Sequence, residues 1–149
     1  NDSKKLSEKK REKLFDEITE NALAWSVSLV DERVIDEINI LQATYEAMRE
    51  AISKLSVQPQ ILLNDAVTIP QIEIPQVPIV KGDAKSVSIA AASIIAKVTR
   101  DRLMVEYDKI MPEYGFASHK GYGSKSHIEA IQKYGPSPIH RATFIKNFL

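Results

Sequence analysis

Two short apolar runs, separated by a proline-containing stretch, limit the fold of this chain more than any other feature. Residues 61–65 and 77–81 each begin with apolar side chains. Residues 66–78 hold three prolines, which exclude a helix there: Pro70, Pro75 and Pro78. Buried strands of a parallel sheet are typically short, continuous apolar runs. The pattern therefore predicts two buried strands joined by a loop.

Helical periodicity surrounds these strands. Apolar residues recur at helical spacing in residues 7–23, 36–55, 87–111 and 124–135, with a short helical turn predicted at 31–35. Residues 25–30 alternate between apolar and polar side chains, which predicts a third, half-buried strand. Helices alternating with strands predict an α/β fold in which helices flank a central sheet. Three strands are few for so many helices, so the sheet is either small or missing strands that precede this sequence.

Composition excludes several classes of protein. The chain has 149 residues, about one domain, and its 44% hydrophobic content is enough for a core. It has no cysteine, which excludes disulfides and thiolate zinc sites. No apolar run approaches the about 18 residues of a membrane span. We therefore expect a cytoplasmic protein that does not bind membranes.

The net charge of zero conceals an uneven distribution. Residues 1–13 carry a net charge of +3 and residues 118–149 a net charge of +4, so residues 14–117 carry −7. Basic ends can bind a polyanion while an acidic middle binds a cation. The alternative is that these charges only keep helix surfaces solvated.

Asp65 and Asp83 each follow a predicted strand directly and lie 18 residues apart. If the strands are parallel neighbours, both carboxylates lie at the same edge of the sheet, where functional groups of α/β proteins gather. Two carboxylates there offer the hard oxygen ligands that Mg²⁺ and Mn²⁺ prefer, and such ions can drive phosphodiester cleavage. Alternatively, each aspartate only stabilises a turn.

A glycine-containing loop at residues 119–123 carries a second candidate site. Tyr122 could stack on a sugar or base while Lys120 contacts a phosphate. The alternative is a structural tyrosine in an ordinary loop. His119 is not predicted to bind metal, because His127 and His140 do not lie at a recognised ligand spacing from it.

Several motifs, in order along nearly the whole chain, resemble the type 2 ribonucleases H, specifically bacterial ribonuclease HII. The most specific is Ala-Ala-Ser-Ile-Ile-Ala-Lys-Val-Thr-Arg-Asp at residues 91–101. The others are Asn-Asp-Ser-Lys-Lys-Leu at 1–6, Leu-Leu-Asn-Asp-Ala at 62–66, Val-Lys-Gly-Asp at 80–83, His-Lys-Gly-Tyr at 119–122 and His-Arg at 140–141.

This resemblance implies a ribonuclease H-like fold and an endonuclease that leaves 5′-phosphomonoesters. Its substrates would be the RNA strand of RNA–DNA hybrids and single ribonucleotides embedded in duplex DNA. The reaction would use two metal ions, Mn²⁺ or Mg²⁺. Asp65 and Asp83 match the third and fourth carboxylates of the family's metal site.

The resemblance also implies substrate-binding residues. Tyr122 matches the tyrosine that stacks on the sugar at the RNA-to-DNA junction, and Ser3, Lys4 and Lys5 match a basic segment near the nucleic-acid backbone. We expect a single ribonuclease HII-type domain over residues 1–149, with a catalytic core at 1–123 and a C-terminal helical part at 124–149.

Two departures from the family qualify this expectation. The Asp-Glu-Val-Gly-Arg-Gly motif, which carries the family's first two carboxylates on the first strand of the sheet, is not in this sequence. Asn64 stands where the family usually has an apolar residue. We therefore expect this chain alone to have little or no nuclease activity. The alternative function is a non-catalytic nucleic-acid-binding module that uses the basic ends and Tyr122.

Overall fold

A computed structural model describes residues 5–145 and divides the chain into two compact units. The first unit is Asn1–Leu29 with Thr44–Thr99, and the second is Val30–Ala43 with Arg100–Leu149. In chain order the elements are α1 (Glu8–Asn21), α2 (Glu32–Ser53), β1 (Leu62–Asp65), β2 (Gln76–Ile79), α3 (Gly82–Lys85), α4 (Val87–Ile110), a 3₁₀ turn (Pro112–Tyr114), α5 (Phe116–His119), α6 (Lys125–Tyr134) and α7 (Ala142–Ile145).

A parallel two-stranded sheet lies in the first unit. Strands β1 and β2 pair in register, with Leu62 opposite Gln76 and Asp65 opposite Ile79. Both predicted strands are therefore confirmed, but their predicted burial is wrong: Leu62 is buried, whereas Leu63 and Val77 are 40% and 41% exposed. The first half of α4 supplies most of the buried apolar side chains of this unit: Ile89, Ala90, Ile94, Ile95 and Val98.

Side-chain amides fix the loop between the two strands. Asn64 Nδ2 donates to Gln76 Oε1 over 2.8 Å, and the same oxygen accepts the N–H of Ile69, also over 2.8 Å. Gln76 Nε2 returns a bond to the Ile69 carbonyl over 2.9 Å. Ile69 is 3% exposed. The asparagine that departs from the family pattern thus helps to hold this loop against the sheet.

The predicted strand at residues 25–30 is wrong. This segment has no regular secondary structure and joins no sheet in the part of the chain that the structure describes. It is held instead by side chains: Ser26 Oγ donates to the Ala51 carbonyl, and Lys54 Nζ donates to the Val27 carbonyl over 2.6 Å. Alternating side chains gave the strand pattern, but a strand also needs a backbone partner.

The predicted turn at residues 31–35 and helix at 36–55 form one element, α2, with a break at Asn39. Asp31 Oδ1 accepts the N–H groups of Arg33 and Val34, which begins the first part. Asn39 has φ 72° and ψ 168°, and its Oδ1 accepts the N–H of Gln42 over 3.0 Å. The side chain of Asn39 therefore starts the second part of the helix as an N-cap.

The core of the second unit is aromatic. Tyr114, Phe116 and Ala130 are buried together, and four partly buried side chains pack on them: Met104, Tyr107, Met111 and Ile139. The sequence predicts a loop that begins at His119, but Phe116–His119 forms a helical turn, α5, so the loop starts one residue later. Helix α6 begins after Ser124 and ends at Gly135, as the sequence predicts.

Among residues 5–145, no helix combines the length and the apolar composition that crossing a bilayer requires.

Candidate active site

Asp65 and the Gly82–Asp83 segment meet at one edge of the sheet. Asp65 is the last residue of β1 and is exposed, whereas Asp83 lies half-buried in α3. The Gly82 N–H donates to Asp65 Oδ1 over 3.0 Å. The parallel pairing of β1 and β2 therefore brings the two sequence-predicted carboxylates to the same edge.

Glycine at position 82 allows this close approach. A Cβ there would lie 3.3 Å from Asp65 Cα, which is a tight contact. It would also lie 2.6 Å from Ile89 Cδ1, a distance too short for a real contact. The preceding residue, Lys81, turns the chain with left-handed dihedral angles, φ 54° and ψ 44°. Backbone geometry, rather than side-chain packing, thus places Asp83 beside the end of β1.

The donor set suits a hard divalent cation but does not complete a coordination shell. Carboxylate oxygens are the ligands that Mg²⁺ and Mn²⁺ prefer. Within residues 5–145, no three His, Cys, Asp or Glu residues are grouped so that they could hold a metal ion. Asp65 and Asp83 can therefore supply part of a metal site, and other ligands must supply the remainder.

The Tyr122 loop, defined here as residues 120–123, lies in the second unit. Lys120 and Gly121 both have positive φ, at 55° and 87°. Tyr122 N donates to the His119 carbonyl over 3.0 Å, and the Tyr122 carbonyl accepts the Ser124 N–H over 2.8 Å. The Tyr122 side chain is 57% exposed. The loop thus presents an aromatic ring from a tightly bonded backbone.

Arg100, on α4, contacts this loop at three places. Its guanidinium carbon lies 5.4 Å from the centroid of the Tyr122 ring, within the range of a cation–π interaction. Its Nη1 donates to the Lys120 carbonyl. A Cβ on Gly121 would lie 3.0 Å from Arg100 Nη2. Glycine at position 121 therefore allows the positive φ and leaves room for the nearby guanidinium.

His119, the last residue of α5, holds the Tyr122 loop through its ring. Its Nδ1 accepts the Gly121 N–H over 3.0 Å. A backbone N–H can only donate, so the ring proton of neutral His119 is on Nε2, which donates to the Tyr114 carbonyl over 2.6 Å. His119 is 8% exposed and uses both ring nitrogens in backbone hydrogen bonds.

His127 and His140 form a hydrogen-bonded relay that ends on Tyr122. His140 Nδ1 accepts the Ser137 N–H over 2.8 Å, so the proton of neutral His140 is on Nε2. That Nε2 lies 2.7 Å from His127 Nε2, which must accept. The remaining nitrogen, His127 Nδ1, then donates to the Tyr122 carbonyl over 2.7 Å. The partners fix one tautomer for each ring.

Sequence reasoning missed this histidine cluster. The rings of His119 and His127 stack with centroids 3.9 Å apart, and His127 bonds to His140. The only signal in the sequence was that all three histidines fall after residue 117. Their spacing matches no metal motif, and their shared role is to make hydrogen bonds.

Burial favours the neutral forms of His127 and His140. Desolvation, together with the smaller electrostatic effects of His127 and His119, lowers the pKa of His140 to about 4. Desolvation also lowers the pKa of His127, against the effect of the Tyr122 carbonyl, which accepts its proton. A neutral relay is the protonation state that the hydrogen bonds require.

We expect stability to fall with acidification from about pH 6.5 to about pH 4. The unfolded histidine binds a proton near pH 6.5, whereas folded His140 binds one near pH 4, so acid favours the unfolded state between those values. Nuclear magnetic resonance titration of the His140 ring should give a midpoint near 4. In His140→Gln, the free energy of unfolding should depend less steeply on pH in this range. A midpoint near 6.5 would contradict the relay.

The remaining predicted substrate residues lie at the N-terminus. Ser3 and Lys4 fall outside the described residues. Lys5 is exposed, two residues before the N-cap of α1, Ser7. Its role in binding the nucleic-acid backbone stays a prediction.

Comparison with known proteins identifies the family. Residues 1–147 match the family model described as Ribonuclease HII. The chain is 71% identical over 147 residues to a ribonuclease HII of Lachnoclostridium phytofermentans, covering 99% of this chain and 58% of that relative. It is 62% identical over 149 residues to a ribonuclease HII of Clostridioides difficile, covering 100% of this chain and 58% of that relative. The chain thus spans well under two thirds of the length of these relatives.

A solved structure supports the fold. The crystal structure of the ribonuclease H2 from Pyrococcus horikoshii OT3 is similar with a TM-score of 0.77 and 32% sequence identity, over 95% of this chain and 75% of that one. The parallel β1–β2 pair and its helices therefore belong to a ribonuclease H-like α/β fold. Because the family match runs through nearly every residue and the fold agrees with it, this chain belongs to the ribonuclease HII family.

Proposed function

We propose that this chain is part of an endoribonuclease that cleaves the RNA strand of RNA–DNA hybrids and single ribonucleotides embedded in duplex DNA. Cleavage would leave 5′-phosphomonoesters, and Mn²⁺ or Mg²⁺ would be the cofactor. The observation that carries the proposal is the meeting of Asp65 with the Gly82–Asp83 segment at the carboxyl end of a parallel strand pair. The family membership supports the same reaction class.

Asp65 and Asp83 would hold the divalent ions. When bound, such ions lower the pKa of water and stabilise charge on the leaving oxygen. The hydrogen bond from Gly82 fixes the rotation of the Asp65 carboxylate before any ion arrives. This preorganisation matters because a carboxylate that must reorient contributes less to catalysis.

Substrate binding would involve separate residues. Tyr122 would stack on the sugar at the RNA-to-DNA junction, since its ring is more than half exposed on a fixed loop. Lys5, with Ser3 and Lys4, would lie near the phosphate backbone, where cations supply most of the sequence-independent affinity.

Residues 1–149 would form one ribonuclease HII-type domain, with residues 1–123 as the catalytic core and 124–149 as a C-terminal helical part. The nucleic-acid substrate and the absence of cysteine favour the cytoplasm as its compartment.

We expect the 149-residue chain alone to cleave weakly or not at all, because two carboxylates do not preorganise two metal ions. The test compares it with an extended protein, in which residues 1–149 follow the segment that precedes the matched region in the Lachnoclostridium phytofermentans relative. The substrate is duplex DNA with one ribonucleotide, with Mn²⁺ or Mg²⁺. Cleavage only by the extended protein is the expected result.

Two other results would change the conclusion. Equal cleavage rates for both proteins would show that the upstream segment supplies no essential ligand. Cleavage by neither protein, together with salt-sensitive hybrid binding that does not depend on metal, would favour the non-catalytic binding module.

A further inference from the structure

We propose that Arg100 and His127 are positioning residues that fix the Tyr122 ring for recognition of the ribonucleotide junction. This inference rests on the proposed function, because it assigns a task to residues around the same substrate contact. Neither residue needs to touch the nucleic acid. Each acts on the Tyr122 loop, one on the aromatic ring and the other on the backbone.

Arg100 acts on the ring and on the residue two positions before it. Its guanidinium lies against the Tyr122 ring, 5.4 Å from the centroid, and holds the Lys120 carbonyl through Nη1. A cation held over the face of an aromatic ring favours one direction of that ring. The fit is close, because any side chain on Gly121 would meet the same guanidinium at 3.0 Å.

His127 acts on the backbone of Tyr122 itself. The Tyr122 carbonyl accepts from His127 Nδ1 over 2.7 Å and from the Ser124 N–H over 2.8 Å. His127 is 5% exposed, so its ring cannot rotate freely. His140 Nε2 donates to the other nitrogen of His127, which keeps the proton on Nδ1. The relay therefore holds the peptide after Tyr122 in one orientation.

The positioning role of Arg100 differs measurably from direct phosphate binding. A cation that contacts a phosphate contributes to the salt dependence of binding, and its removal lowers the salt slope by about 1. A residue that acts only through Tyr122 leaves this slope unchanged. Its effect must also disappear when Tyr122 is removed, because non-additivity identifies residues that share one function.

The experiment uses the extended protein and six variants. Arg100→Met removes the cation over the Tyr122 ring, and Arg102→Met removes an exposed cation from the same helix as a matched control. His127→Leu removes the bond to Tyr122, whereas the amide of His127→Asn can restore a donor near the Nδ1 position. Tyr122→Ala and the double variant Arg100→Met/Tyr122→Ala complete the set. Far-UV circular dichroism confirms folding.

We expect Arg100→Met and His127→Leu each to raise KM for the single-ribonucleotide duplex about tenfold, the lower range for loss of one stacking contact. Their kcat should change much less. His127→Asn and Arg102→Met should resemble the unaltered protein, and the salt slope should stay the same in Arg100→Met. The double variant should be no worse than Tyr122→Ala alone.

Three results would overturn the proposal. A lower salt slope in Arg100→Met would make Arg100 a phosphate ligand. If Arg100→Met raised KM by the same factor in the presence and in the absence of the Tyr122 side chain, the role of Arg100 would be purely structural. Failure of His127→Asn to restore KM, in a folded protein, would remove the Tyr122 carbonyl as the target.

Failure of the proposed function can be distinguished from failure of this inference. If the unaltered extended protein does not cleave, the function fails. The inference is then judged by nuclear magnetic resonance of the Tyr122 ring protons in the same variants. Those signals should shift in Arg100→Met and His127→Leu but not in His127→Asn or Arg102→Met. Unchanged signals in all variants would reject the positioning role.

Discussion

Asp65→Asn in the extended protein should reduce cleavage of a single-ribonucleotide duplex by more than about a hundredfold. Loss of a group that only orients a metal ligand already costs about 10- to 100-fold, so loss of a ligand should cost more. Asparagine keeps an oxygen that can accept the Gly82 N–H, so the sheet edge should stay folded. The measurement is kcat/KM with saturating Mn²⁺ or Mg²⁺.

Asp83→Asn should cause a similar loss, because the two carboxylates act on the same ions. Hybrid binding should stay largely intact in both variants, since the basic residues are unchanged. Asp16→Asn, on the exposed face of α1, is the matched control and should cleave normally. Cleavage by Asp65→Asn or Asp83→Asn within about threefold of the unaltered protein would exclude that residue as a metal ligand.

Phe116→Ala should destabilise the protein by about 3–5 kcal/mol, the usual cost of removing a buried phenylalanine. Phe116 is 1% exposed and stacks on Tyr114 with ring centroids 5.4 Å apart. Its ring also lies 5.7 Å from both His127 and His140. The cavity should therefore loosen the histidine relay as well as the core. Urea unfolding followed by circular dichroism measures the loss.

The control for this variant is Leu23→Ala. Leu23 is 86% exposed, so its truncation should change the free energy of unfolding by less than about 0.5 kcal/mol. A loss below about 1 kcal/mol for Phe116→Ala would mean that this aromatic group is not a packed core.

The sequence predicted local features well where the signal was short-range. Ser7 and Ser124 start helices, and Gly135 ends one, because each provides its cap from its own side chain or backbone. The two strands, each followed by an aspartate, were also predicted, since apolar runs separated by prolines fit few structures other than strands.

The strand wrongly predicted at residues 25–30 shows what a local sequence pattern does not determine. The alternation of apolar and polar side chains indicates which side chains can be buried, but it does not indicate whether another strand lies beside the segment. Here the Ser26 and Lys54 side chains hold the segment through bonds to carbonyls of distant residues. No periodicity in the sequence encodes those contacts.

The sequence by itself determined the family, the two strands and the aspartate that follows each of them, because motif order and short-range propensity carry that information. The parallel pairing that brings Asp65 and the Gly82–Asp83 segment to one edge appeared only in the tertiary structure. Only the tertiary structure decided how the Tyr122 loop is held. Arg100 and His127 lie 22 and 5 residues from Tyr122 in opposite directions, and their roles depend on a cation over a ring and on proton positions fixed by hydrogen bonds. Such contacts arise from tertiary packing, and spacing alone does not specify them.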